Sequence, residues 1–543
     1  MKTTKKLLAM ALAAAMVVTA FAGCSGNNDT SSADSTSSAS SEASTSSDAS
    51  TSDESSATED DGTIHPMRIV QPGTLCPDYE TGMAAVNEKL KEDGVNIEVS
   101  VTRIPWDAYA EKLNLMLTTG EEFELLHVMQ DVKNLSAIAG MGAISSIHDS
   151  IQNYPDLYNK FSETEWLGTL YKGEEYAVPC YWRSFDNTMS YMDYRSDIAE
   201  KVGYDEFPDT TEGIIDLMKK SQDEILNETG MKAYSWFHQV QDTAHWLHRS
   251  YDTYPFYVEN SLGICLIRQD GTVDSFYESE EFKKDANTYY EMYQAGLIDP
   301  DILNRDHQKQ YDDANYGAML PSQTFDPYTG VTMQKNGVEG AEVKWVEAFG
   351  DDIPDMIYTY VQNLNAISST SEDPESGLKF LNWLYASEEN HDLFHYGIEG
   401  THYTKTGDHR IEQVKGDDGN PLYSMDTWMT GYLPYMAYAT DTPDEQVDYM
   451  TYKSDNYVIS PAAGFIFDSS NVTSELTNLQ TEIISSIYPI KVGMVSYEDN
   501  IDAAIEKLKA AGLDKYMEEY RTQFKAYPVS YTHLRAHETS QDL

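Results

Sequence analysis

Cysteine is scarce in this chain. Its four residues, Cys24, Cys76, Cys180 and Cys265, are too widely separated for a zinc motif or a disulfide framework, and a body this long can build a core without such staples. Basic residues are scarce too: 37 Lys and Arg face 90 Asp and Glu, a formal charge of −53. That balance excludes a general affinity for nucleic acid, which needs clustered cations, and it makes contact with anionic lipid headgroups repulsive. Solubility and self-repulsion at an exposed cell surface account for the acidity better than an acidic binding site does. Catalytic motifs are missing as well. There is no G-x-S-x-G elbow, H-E-x-x-H helix, P-loop or G-x-G-x-x-G turn, and Gly140-Met141-Gly142 reads as the turn that ends a helix. With so many carboxylates a glycosidase pair stays open on sequence grounds. No cofactor and no metal is expected, since Lys415–Asn420, KGDDGN, lacks the spacing and closing Glu of an EF-hand. Internal repeats of fixed period are absent, and no apolar run after Ala22 approaches membrane length.

What is present begins at the N-terminus. Lys2, Lys5 and Lys6 precede an apolar run from Leu7 to Ala22 broken only by Thr19, so residues 1–23 are expected to be an export signal. Phe21-Ala22-Gly23-Cys24 resembles the lipobox of bacterial lipoproteins, with Phe where Leu is usual. The resemblance implies that Cys24 becomes a lipidated, palmitate-bearing N-terminus on the extracytoplasmic face of the cell membrane. Residues 24–64 are rich in Ser, Thr, Ala and Asp, and no Lys or Arg occurs between Lys6 and Arg68. Such a segment cannot bury enough apolar surface to fold; as a flexible tether of roughly 40 residues it would reach about 35 Å. At the other end, Val529–Thr539, VSYTHLRAHET, coincides with the translation of a common sequencing-library adapter, so residues 529–543 are read as an artefact and His533, His537 and Glu538 are set aside.

Between these ends lie about 460 residues, room for two or three domains. Asn96–Val101 alternates like a strand, Asp107–Thr119 puts Leu113, Met116 and Leu117 on one helical face, and Phe123–Met129 reads as a short apolar strand. Val132–Ile144 reads as helix and turn, and Tyr176–Pro179 and Thr188–Tyr194 as further strands. Thr210 and its neighbours are placed to cap a helix over Gly213–Ser221, Ser279 to cap one over Ser279–Ala295, and Asp373-Pro374 to open another. Asn500–Ala511 predicts a last helix stopped by Gly512. The alternation of strands and helices predicts an α/β protein with parallel sheets and crossover helices.

Three segments carry a family resemblance. Tyr176–Asp197, YAVPCYWRSFDNTMSYMDYRSD, with Pro-Asp-Thr-Thr at 208–211, resembles the crossover segment of extracellular solute-binding proteins related to maltose-binding protein. Tyr293–Pro300, YQAGLIDP, is similar to a helix end of that family, and Phe380–Thr404, FLNWLYASEENHDLFHYGIEGTHYT, to its lipoprotein branch. The resemblance implies a two-lobed α/β binding-protein fold of type II, with residues 65–183 and about 362–440 forming lobe 1, 184–361 and about 441–527 lobe 2, and a hinge between them.

Aromatic residues supply the chemical signal: they make up 12% of the chain, led by 39 Tyr. Sugars offer an apolar C–H face on which Trp and Tyr stack, and a rim of hydroxyls for polar side chains, so a sugar pocket needs both kinds of group. Tyr181, Trp182 and Arg183 follow a predicted strand at the lobe crossing and are candidates for lining the cleft. Trp236, Phe237 and His238 form a second candidate group. Gln130 and Asp131 stand at the carboxyl end of a strand, where open parallel sheets place ligand contacts; capping the next helix is the alternative. Trp106 is a candidate for stacking on ligand or for packing at a helix start. Tyr396, Glu399 and His402 are weaker candidates, and Trp383 is expected in the core.

The function implied is the substrate-binding component of an ABC importer. It would bind carbohydrate of oligosaccharide size in an inter-lobe cleft as a monomer and deliver it to permease subunits without chemistry. A surface lipoprotein glycan hydrolase, or the same fold serving peptides or another polar solute, remains the alternative.

Overall fold

The structure is a computed structural model. It describes residues 63–527 apart from 131, 181–190, 236–244, 260–261, 305–306, 323–324, 351, 418 and 452–455. Residues 1–62, which include Cys24, the expected signal and all but the end of the expected tether, and the residues beyond 527 lie outside the described residues.

Two hydrophobic cores divide the body. The first is built on a five-stranded sheet of β1 (His65–Pro72), β2 (Ile97–Ile104), β3 (Leu125–Met129), β4 (Ala177–Pro179) and β5 (Asn363–Ile367), in the order β2-β1-β3-β5-β4. Because side chains alternate across a strand, each strand feeds both faces. Ile69, Val99, Val101, Leu125 and Ile367 enter one apolar cluster, while Val70, Ile104, Leu126, Leu364 and Ala366 enter the other. Strand β1 pairs in parallel with β2 and β3, as the strand–helix alternation predicts. Strand β5 corrects that expectation, running antiparallel to both β3 and β4. The chain returns to this core from elsewhere and enters the sheet at the edge where its parallel neighbours end.

The second core gathers residues from Met192 to Ala348 and from Ala462 to Phe524. A three-stranded antiparallel unit, Phe256–Val258, Cys265–Arg268 and Val273–Ser275, packs with the helices Thr211–Thr229, Glu280–Gln294, Tyr497–Ala511 and Leu513–Ala526. The expected strand before Asp197 is Tyr191–Arg195, paired antiparallel with Val343–Glu347; residues 188–190 of that reading lie outside the described residues.

Local signals explain most helix ends. Thr210 accepts the amide of Gly213 at 3.2 Å and Ser279 that of Phe282 at 3.1 Å, and Gly512 takes the left-handed conformation (φ 111°) that stops the helix before it. Asp373 behaves differently. Pro374 opens the helix Pro374–Leu384, yet the Asp373 carboxylate makes no capping bond and lies 3.5 Å from His65 Nδ1 instead. Trp383 is core, as expected, with its indole N–H donated to Asp93 at 2.8 Å. Cys76, Cys180 and Cys265 are free thiols.

A short crossing, residues 357–362, links the two cores. Ile357 ends the strand Asp355–Ile357, which pairs in parallel with Tyr457–Ile459 on the second side, and Asn363 opens β5 on the first.

Candidate functional site

Strands β1 to β4 run in one direction, so their carboxyl ends share an edge, and that is the edge at which β5 begins. Open α/β sheets collect ligand contacts there because the loops following the strands converge. Here Gly73, Trp106, Gln130 and Cys180 emerge together with the crossing: Gln130 donates its backbone N–H to Gln362 O at 3.0 Å, and Cys180 donates to Asn363 O at 2.9 Å.

Trp106 is the first residue of the helix Trp106–Thr119 and remains 55% exposed. Its ring stacks on Trp428, with centroids 6.0 Å apart and planes 21° apart. Trp428 sits on a four-residue helical turn, Thr427–Thr430, and its other flank rests on the edge of the His127 ring at 5.1 Å. The turn is held from β2, from β5 and from the residue after β4. Arg103 of β2 bonds Asp426 at 2.9 Å and also reaches Pro72 O of β1 at 2.8 Å; Asn365 of β5 donates to Met429 O at 3.0 Å; and the Cys180 thiol just past β4 donates to Trp428 O at 3.3 Å. The platform is therefore fixed to the sheet rather than hanging from a loop.

At the second side of the crossing another set of rings assembles. Tyr358 stacks on Tyr257 (5.5 Å, 8°) and on His245 (6.4 Å, 6°). Burial, followed by the positive potential of His248 and Lys491, holds the His245 imidazole well below its ordinary pKa, so it presents a neutral ring. Tyr360, between the two sets, packs against the first core. Flat rings with half-exposed faces thus line both approaches to the crossing. Such faces are suited to shape and C–H contact.

Of the residues singled out in the sequence, Tyr181, Trp182, Arg183, Trp236, Phe237, His238 and Asp131 lie outside the described residues. The first triplet directly follows Cys180 at the carboxyl edge, and the second belongs to a segment bounded by Ser235 and His245. Gln130 is half-buried at that edge, and its side-chain oxygen accepts the amide of Leu135 at 3.0 Å, a local helix-start role. Tyr396 and His402 are buried. The Tyr396 hydroxyl bonds the Ala437 backbone, and His402 bonds Asp78 at 2.9 Å and stacks on Tyr423; Glu399 is exposed. Sequence reasoning missed Trp428, Tyr358 and Tyr257, which lie apart from one another in the chain and acquire a shared location only through the fold.

An open cavity of about 640 Å³ lies elsewhere, lined by residues that include Asp209, Glu212, Arg249, Asp252, Tyr254 and Asp352. It sits at the opposite end of the strand Asp355–Ile357 from Tyr358, so it is separate from the aromatic site. Among the described residues no group of three or more His, Cys, Asp or Glu is arranged to hold a metal ion.

Residues 77–391 match the profile of the bacterial extracellular solute-binding protein family. The chain belongs to that family. Residues 461–528 match a domain of unknown function, DUF3502. A carbohydrate ABC transporter substrate-binding protein of Streptococcus pneumoniae is 23% identical over 466 residues, 83% of this chain and 89% of its own length. The polygalacturonan/rhamnogalacturonan-binding protein YtcQ of Bacillus subtilis is 20% identical over 79% of this chain and 86% of its own. Among solved structures, the N-glycan transport solute-binding protein NgtS of S. pneumoniae superposes with a TM-score of 0.67 at 19% identity, covering 85% of this chain and 98% of that one. Membership and fold likeness together give the two-lobed binding-protein fold, and the two cores described above are its physical basis.

Proposed function

We propose that this chain is the carbohydrate-binding subunit of an ABC importer, taking an oligosaccharide between its lobes and handing it to permease subunits, with no enzymatic step of its own. The observation that carries the proposal is the pair of aromatic surfaces at the two ends of the crossing, Trp106 on Trp428 and Tyr358 on Tyr257, within a solute-binding family fold. Relatives are named for carbohydrate or polygalacturonan/rhamnogalacturonan binding, which favours sugar over peptide. Lobe 1 is assigned to residues 65–183 and about 362–440, and lobe 2 to 184–361 and about 441–527. Ligand bridging the lobes stabilises the closed state by its differential affinity for that state. Tyr181, Trp182, Arg183, Trp236, Phe237, His238, Gln130 and Asp131 are proposed to complete the contacts, the polar ones binding hydroxyls.

The protein is further proposed to act as a monomer on the outer face of the cell membrane, held by lipid on Cys24. A tether gives repeated delivery to one permease a high effective concentration. Cys24→Ala is then expected to move the protein from the membrane fraction into the medium and to abolish incorporation of labelled palmitate; retention in the membrane fraction would contradict the anchor.

Trp106→Ala tests the site itself. Trp106 is largely solvent-exposed, so its loss should leave the melting temperature of the unliganded protein nearly unchanged. Removing a stacking face worth about 0.5–1.5 kcal/mol should weaken oligosaccharide affinity by about 2- to 10-fold, as read by calorimetric titration. Unchanged affinity would remove this platform from the site.

A further inference from the structure

The face of the first sheet on which the Asp426–Thr430 turn is anchored changes character in its last row. Val101, Ile69, Leu125 and Ile367 are register neighbours across β2, β1, β3 and β5, and all enter one apolar cluster. Two residues nearer the carboxyl edge, the same face presents Arg103, Gln71, His127 and Asn365. Arg103 pairs with Gln71 and His127 with Asn365 in the ladder, and the parallel β1–β3 pairing places Gln71 beside His127 at its next step. This polar row is buried: Gln71 is 1% exposed, His127 and Asn365 0%, and the Arg103 side chain 3%. The turn bearing Trp428 covers it.

Six polar atoms of the row have no well-aligned hydrogen-bond partner among the described residues: both amide atoms of Gln71, Arg103 Nε, Asn365 Oδ1 and both ring nitrogens of His127, which feel the attraction of Asn365, the Met429 carbonyl and Asn363 without being aligned with them. Left dry, six such atoms would cost as much as the whole stability of a typical domain. Their chemistry is also balanced. Gln71 Nε2, Arg103 Nε and one nitrogen of the neutral imidazole donate, while Gln71 Oε1, Asn365 Oδ1 and the other ring nitrogen accept. Buried water makes about three hydrogen bonds, so two molecules meet this demand.

We infer that the row Arg103–Gln71–His127–Asn365 is a binding site for two internal water molecules, which seat the Asp426–Thr430 turn and so fix the height of Trp428. His127 is a positioning residue in this arrangement, bonding water at its ring nitrogens and supporting the indole with its edge.

A high-resolution crystal structure of the unaltered protein should contain two ordered solvent peaks within hydrogen-bonding distance of the Gln71 amide and the His127 ring. Gln71→Leu, similar in size but apolar, should lower the melting temperature by ~1–3 °C and speed amide hydrogen exchange over Thr427–Gly431, because the waters lose partners. A dry row reverses the sign: removing two unsatisfied atoms would raise the melting temperature. Absence of the solvent peaks, or a higher-melting variant, overturns the inference, and the unaltered protein's density decides the matter even if the variant fails to fold.

Discussion

Lowering the pH from 7 to 5 is expected to remove about 6 kcal/mol of stability through three buried histidines alone. His127, His391 and His395 are each 0% exposed, and burial is the main cause that lowers their pKa from 6.5 to about 3. Polar attraction from Asn365, the Met429 carbonyl and Asn363 opposes this only in part at His127. His391 and His395 lie with ring centroids 4.4 Å apart, so a proton on either would repel one on the other, and His409 adds to that repulsion at His391. The sign follows from proton counting. Between about pH 6.5 and pH 3 the unfolded chain binds protons at these rings and the folded chain does not, so stability is complete above 6.5 and falls with pH through that window. At pH 5 each ring contributes about 2 kcal/mol of loss. Asp392 works in the opposite sense. Burial raises its pKa, only partly offset by Lys405, so it favours the folded state as pH falls and offsets part of the histidine effect. Urea midpoints at pH 7 and pH 5, at constant ionic strength, should differ accordingly, and His391→Leu should reduce the pH slope by about one proton. Equal midpoints would show that burial does not keep these rings neutral in the folded protein.

Arg249→Leu is expected to destabilise the protein by about 3–5 kcal/mol. The Arg249 side chain is 1% exposed, beside Asp355 at 0% and Glu347 at 6%. It donates to Asp355 at 2.7 Å and to the carbonyls of Ala348, Gly350 and Ile353 at 2.9–3.0 Å, with Glu347 at 3.4 Å. Removing the guanidinium takes the cation from the buried Asp355 carboxylate and the donors from three carbonyls together. Lysine should rescue little, since one ammonium cannot reproduce a planar fork. Asp355→Asn in the leucine background should recover part of the loss by removing a buried charge, whereas additive losses would show that the pair is not coupled. Asp355 opens the strand that runs into the crossing, so urea denaturation and ligand affinity are both expected to respond.

Much of the fold is written locally. Ser279 and Thr210 announce their helices because a hydroxyl at the N-cap can satisfy an amide that would otherwise lack a partner, and Leu113, Met116 and Leu117 reveal their helical face by spacing alone. The direction of β5 is not local: NLNAI reads equally well in either sense, and only the return of the chain at the carboxyl edge makes it antiparallel. Asp373 shows how a local signal can be diverted, its carboxylate drawn toward His65 rather than to the helix it precedes. The aromatic platform was half legible. Trp106 stood out in a polar loop, but its partner Trp428 lies more than 300 residues away and comes into register only through Arg103–Asp426 and Asn365–Met429. The same holds for the buried row beneath it, whose members come one from each of four strands.

The central claim is that this protein binds oligosaccharide and does nothing else to it. The most direct measurement incubates the folded region with a panel of oligosaccharides, following its thermal unfolding while the saccharides are analysed for cleavage. A cognate sugar at about 100 times its dissociation constant should stabilise the protein by about 2.7 kcal/mol and be recovered intact. Cleavage of the sugar, or silence toward every saccharide together with stabilisation by peptides, would contradict it.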